Sequence, residues 1–267
     1  MRNSSSGKSE LSGSVSKIDN SGLRLQSNQL LMSLFNEIIR VLCPDVFLEI
    51  GAREADFSFS MSEVLPDTKF ICYEANKHSF NTFCSRFEGK ANVEYLNSAI
   101  SDHVGSAIVK IPRGNRPEIL TKGNASLLER RGYSKGYIEE TVSCTTLDEA
   151  CRGVGAGLTV CGWIDVEGHF RAVHRGGTVT FSRFDALFVE VEDHGFWEGQ
   201  ALTSEVCSML LASGMIAIAR DRESDLQYNI IFVRKQLVDR MKPMLSRFFE
   251  KLAALSDASN TAPEASA

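Results

Sequence analysis

The chain has 267 residues, 43% of them hydrophobic and 24% charged, which is the balance of one large globular α/β domain or two small ones. The net charge of −5 and the absence of any lysine/arginine stripe interleaved with aromatics exclude a nucleic-acid surface. No apolar run is long enough to cross a bilayer, and the polar start MRNSSSGKSELSGSVS lacks the apolar core of a secretory signal.

Residues 1–26 are rich in Ser, Gly and Asn and read as a disordered arm; residues 253–267 read as a disordered tail. Between them, 27–252 read as one domain with an insertion near 104–145. Leu30, Leu31, Leu34, Phe35, Ile38, Ile39 and Leu42 fall at helical spacing, with Ser27 placed to cap the start and Pro44 after the end. Strand and helix then alternate. Val46–Ile50 is a strand, Phe57–Val64 a helix, Lys69–Glu74 a strand, Ser79–Phe87 a helix and Val93–Leu96 a strand. Ala107–Ile111 and Thr141–Cys144 can pair as a hairpin around the long loop Pro112–Glu140, which holds Asn124, Ser126, Arg130, Arg131, Tyr133 and Tyr137 and reads as a lid, an acceptor site or a mobile surface loop. Val160–Val166 and Ala186–Val191 are further strands, Thr203–Ser213 a helix, and Met215–Ala219 with Gln227–Arg234 a closing antiparallel hairpin. Apolar strands alternating with helices imply a parallel sheet covered on both faces, here mixed at one edge.

Ligands of such sheets bind beyond the carboxyl ends of the strands. The first strand ends in Glu49-Ile50-Gly51-Ala52 and the second in Glu74. An acid in the latter place can accept hydrogen bonds from both hydroxyls of a ribose. A dinucleotide site would want three glycines for its pyrophosphate, but only Gly51 is present, and Glu54 and Asp56 would repel phosphates. S-adenosylmethionine, with a nucleoside, a sulfonium and no phosphate, fits these residues better. The small residues Ser98, Ala99 and Ser101 can let an adenine lie flat. The fourth and fifth strands end in Asp165-Val166-Glu167-Gly168 and Glu190-Val191-Glu192-Asp193-His194. Strands about 4.8 Å apart would bring Asp165 or Glu167 towards Asp193 or His194. Seven cysteines, an odd number with no C-x-x-C pair, fit reduced thiols and a cytoplasmic setting.

Six segments in order resemble the FkbM family of S-adenosylmethionine-dependent methyltransferases. They are Glu49-Ile50-Gly51-Ala52, Tyr73-Glu74-Ala75, Ala99-Ile100-Ser101-Asp102 with Gly105, Ala125-Ser126-Leu127, Thr146-Leu147-Asp148-Glu149 and Ile164-Asp165-Val166-Glu167-Gly168, spread over about residues 45–235. The resemblance implies an α/β fold of class I methyltransferase type: a doubly wound, Rossmann-like, mostly parallel seven-stranded sheet with a closing antiparallel hairpin. It places Glu49, Gly51 and Ala52 by the cofactor's amino-acid portion, Glu74 by its ribose, Ser98 and Ala99 by its adenine, and Asp165 by the transferring methyl. It implies O-methylation of a hydroxyl on a sugar, glycan or secondary metabolite, the acceptor being a small molecule or glycan. Arg53 stands where the family has Asn, Ala55 where it has a second glycine (a wider turn is expected), and Phe170 where an acid often follows.

For the chemistry, Asp165 is expected to orient the acceptor and His194 to take its proton, with Glu167 beside them and His169 a further neutral-pH base. A variant makes Asp165, Glu167 and Asp193 ligands of a divalent cation. Two rival classes share the sheet: a nicotinamide-dependent oxidoreductase and a non-catalytic partner subunit. The oligomeric state is open, a homodimer included.

Overall fold

A computed structural model describes residues 21–114, 120–222 and 224–260. Its centre is set by strands with no polar face. In β1 (Val46–Ile50) all five residues are buried, and in β7 (Val160–Ile164) four of five are. Such strands need helices on both sides. Alternation along β1 sends Phe47 into one core and Leu48 into the other.

Five more strands complete the large sheet: β2 (Lys69–Tyr73), β3 (Val93–Leu96), β8 (Phe184–Glu192), β9 (Met215–Arg220) and β10 (Gln227–Arg234). Their order is β3-β2-β1-β7-β8-β10-β9. Only β10 runs against its neighbours, β8 and β9; the remaining pairs are parallel. This is the expected doubly wound sheet with its antiparallel end. One face is covered by α1 (Ser21–Leu42), α2 (Asp56–Val64) and α8 (Val238–Asn260), which pack Phe35, Phe57, Met241 and Phe248 against Phe47, Phe70 and Phe188. The other carries α4 (Leu147–Ala150), α5 (Phe170–Arg175), α6 (Thr178–Phe181) and α7 (Thr203–Ala212). Here Leu147, Phe170, Phe181 and Leu210 meet Leu48, Ile50 and Leu187. α3 (Lys77–Phe83) follows β2.

A small three-stranded sheet stands beside the carboxyl ends of the large one. β5 (Gly105–Pro112) and β6 (Tyr137–Thr146) form the expected hairpin, and β4 (Ser98–Ser101) joins β6 in parallel.

The ends of the domain differ from expectation. α1 begins at Ser21, so 21–26 are helical and Ser27 is not its cap. Ser27 instead lies inside the helix, where its hydroxyl donates to the Arg24 carbonyl (2.9 Å) and accepts from the Arg222 amide (3.0 Å). α8 is a helix that the sequence reading lacks, and it carries residues 253–260 in helical conformation. Its buried residues Met241, Met244 and Phe248 follow helical spacing among charged ones, and α1 supplies the partner surface. The rest of the expected arm and tail, 1–20 and 261–267, lies outside the described residues.

Candidate functional site

The chain leaves β1 through a loop with no space to spare. Gly51 has φ +78°, and a Cβ added there would lie 1.6 Å from the Asp165 carbonyl oxygen. Its amide and that of Ala52 both donate to the Tyr73 carbonyl at 3.0 Å, while the Asp165 amide donates to the Ile50 carbonyl at 2.9 Å. The ends of β1, β2 and β7 are thus fastened together by main chain. The loop then alternates: Arg53 (φ +44°) and Ala55 (φ +48°) are also left-handed. It keeps left-handed geometry at residues with side chains, which costs about 1–2 kcal/mol each.

α2 starts at Ala55 without a side-chain cap. Glu49 supplies the missing acceptor from the neighbouring strand, because its carboxylate takes the Ser58 amide (3.0 Å) and the Ser58 hydroxyl. Burial pushes Glu49 up to about 7, against the opposing effect of these Ser58 bonds. Glu49 and Ala52 do not line the pocket that opens beside them. Nor do Glu54 and Asp56, which pair with Arg53 (3.0 Å) and Arg86 (2.7 Å). The electrostatic reason for rejecting phosphate therefore shifts to other acids.

The space between the atoms of that pocket, open solvent included, is about 710 Å³. Glu74, Asp165 and Glu167 give it its acids. Glu74 is buried, with one oxygen accepting the Arg53 amide and the other the Asn76 amide, both at 2.6 Å. Each oxygen keeps a lone pair for a ligand. Burial outweighs these bonds and raises Glu74 to about 7. Ser98 and Ala99 of β4 line the same pocket, as do Gly51 and His169.

The described part of the insertion forms the outer wall. Arg53 Nε donates to the Thr121 carbonyl (2.8 Å), Asn76 Nδ2 to the Leu120 carbonyl (2.6 Å), and the Ser126 hydroxyl to the Glu167 carbonyl (2.8 Å). Ser126 also accepts the Leu128 amide at 3.0 Å. The Ala-Ser-Leu segment is thus a fastener between the insertion and the loop after β7. Thr146-Leu147-Asp148-Glu149 is likewise a helix-capping device: Thr146 accepts the Glu149 amide (3.1 Å), and Asp148 accepts the Thr180 amide (2.7 Å).

The acids that end β7 and β8 meet differently from expectation. β7 stops at Ile164, whose partner on β8 is Val189, so Asp165 comes level with Glu190 and not with Asp193. Oxygens of Asp165, Glu167 and Glu190 lie within 4.8 Å of one another. Burial and mutual repulsion hold Glu190 well above the carboxylate range; burial raises Asp165 too, opposed by its contact with Glu190. Asp193 is three residues further along, where Tyr228 Oη donates to both its oxygens at 3.1 Å. His194 does not line the pocket; its ring stands 5.0 Å from that of Phe196. The histidine at the pocket is His169, with Nε2 2.9 Å from the Ser101 hydroxyl and burial holding it near 4, hence neutral. Glu190 is visible in the sequence as a strand acid; the strand register, which singles it out, is not.

An acid closing the second strand of this sheet order, beside a tight loop after the first, defines a class I methyltransferase domain. The chain belongs to the FkbM family: residues 45–222 match the methyltransferase FkbM domain. Membership implies S-adenosylmethionine as methyl donor. No curated protein matches the chain in sequence. Among solved structures it is similar to precorrin-6y C5,15-methyltransferase from Geobacter metallireducens, at 10% identity and TM-score 0.41, over 75% of this chain and 87% of that one. It is similar to the N-terminal domain of EvdMO1, solved with S-adenosylhomocysteine and D-fucose, at 10% identity and TM-score 0.40, over 78% and 81%. The chain spans 39% of the bifunctional kinase-methyltransferase WbdD, at 13% identity and TM-score 0.41, over 79% of this chain.

Proposed function

We propose that this protein transfers a methyl group from S-adenosylmethionine to a hydroxyl of a sugar, glycan or secondary metabolite. The observation that carries the reading is Glu74. Two main-chain amides fix its carboxylate at the wall of a pocket that Asp165 and Glu167 also line. Those acids, with a single loop glycine, suit an adenosyl sulfonium and disfavour the pyrophosphate of a nicotinamide cofactor. Glu74 would hold the ribose, Ser98 and Ala99 the adenine, and the Gly51 loop the amino-acid end. Glu49 and Ala52 would support that loop from behind.

When bound, this cofactor supplies an electrophilic methyl group. The protein's own work is then orientation and proton removal. Asp165 would hold the acceptor hydroxyl and receive its proton, since it stands at the pocket and burial raises its basicity. Glu167 would flank the acceptor. Free cysteines, several of them buried, fit a reducing, cytoplasmic setting.

Calorimetry with S-adenosylmethionine tests the reading first, followed by release of S-adenosylhomocysteine over a panel of hydroxylated sugars and metabolites. Binding of S-adenosylmethionine with turnover on a hydroxyl acceptor is expected. Binding of NAD in its place, or no binding of either, would overturn it.

A further inference from the structure

Glu190 sits in the middle of β8 between the buried Val189 and Val191, where an ionisable group is costly unless something compensates it. Its Oε2 is closed to solvent and has no hydrogen-bond partner. Its cross-strand neighbour on β10 is Asn229, whose side-chain amide donates to Asp221 (2.9 Å).

Two further observations converge here. Oxygens of Asp165, Glu167 and Glu190 lie within 4.8 Å of one another, and among the described residues no other three acid, cysteine or histidine side chains come together so. Oxygens sharing one hard cation at about 2.0–2.6 Å are at most about 5 Å apart. Glu167 is moreover left-handed at φ +47°, an arrangement that costs about 1–2 kcal/mol for a residue with a side chain. The Ser126 hydroxyl holds its carbonyl in that conformation.

We propose that Asp165, Glu167 and Glu190 form a site for a hard divalent cation of the magnesium–manganese class, open towards the pocket. The donor set is all oxygen, without the histidine or cysteine that zinc favours. Glu190 anchors the ion from the sheet; Asp165 and Glu167 complete the protein ligands at the pocket floor. The open positions face the place of the acceptor, so the ion would bind acceptor oxygens and sharpen the acidity of the hydroxyl. That last role rests on the methyl-transfer reading; the cation site does not.

Manganese binding to the full chain, followed by loss of the free-ion paramagnetic resonance signal, tests it with neither methyl donor nor acceptor present. One saturable ion per chain is expected, displaced by magnesium. Glu190→Gln and Glu167→Gln should each weaken it by ~10-fold or more, and Asp193→Asn should leave it unchanged. If Glu190→Gln does not fold, Glu167→Gln carries the comparison, with manganese raising the unfolding midpoint of the wild type and not of the variant. No saturable binding by the wild type overturns the site, as does binding that both glutamine variants retain. Because donor binding is measured separately, failure here leaves the methyl-transfer reading standing.

Discussion

The α-carbon of Gly51 faces the carbonyl of Asp165 so closely that a single added methyl would lie 1.6 Å from its oxygen. The loop after β1 and the residue that follows β7 are therefore fitted to each other through main chain. Gly51→Ala is expected to lower stability by more than about 4 kcal/mol or to prevent folding. Gly89→Ala is the control, since Gly89 has a similar φ of +82° with nothing within 4 Å. It should lose only about 1–2 kcal/mol, the left-handed penalty alone. Equal unfolding midpoints for the two variants would show that the close approach is not rigid.

Asp165→Asn should lower turnover by about 10²–10⁴-fold, the usual worth of a positioned base. Affinity for S-adenosylmethionine, read by calorimetry, should remain measurable because Glu74 and the Gly51 loop are untouched. A fully active variant would remove Asp165 from the chemistry.

His194→Gln should retain turnover close to wild type, because its ring lies against Phe196 and not at the pocket. A loss of kcat comparable with that of Asp165→Asn would return His194 to the site.

Burial raises both Glu49 and Glu74 from the ordinary 4.5 to about 7. Between those values the folded protein holds more protons than the unfolded chain, so stability falls as pH rises. Their contribution is full below pH 4.5 and is lost as pH passes about 7. The unfolding midpoint should therefore drop between about pH 5 and pH 8, and drop less in Glu49→Gln. Identical profiles for the two proteins would contradict the raised value. Donor affinity should move the opposite way, increasing through about pH 7 as Glu74 ionises and faces a cationic ligand.

Ser126→Ala removes a buried hydroxyl that joins the Glu167 carbonyl to the Leu128 amide. Leaving those groups unpaired should cost about 1–3 kcal/mol. The KM for the methyl donor should rise as the wall loosens; an unchanged KM with full stability would mean that water replaces the hydroxyl without loss.

Much of the sheet is legible because β1, β2, β3 and β7 announce themselves as short apolar runs, three of them closed by or next to acids. Glu74 can be placed for the same reason. What local sequence does not carry is register. Nothing in Ala186–Glu192 alone tells that Ile164 pairs with Val189, so the sequence points to Asp193 as the acid beside Asp165, where the structure has Glu190. Side-chain direction is equally hidden: Glu54 and Asp56 look like pocket acids, yet Arg53 and Arg86 hold them elsewhere. β4 is too short to stand out, being four residues defined by pairing with β6. Helix α8 needs its partner α1 before its sparse apolar stripe has meaning.

The outer wall of the pocket is gripped by its peptide carbonyls: Arg53 and Asn76 take those of Thr121 and Leu120. A main-chain carbonyl is present whatever residue carries it. Changes of side chain at those two positions therefore leave both of these bonds to the wall in place.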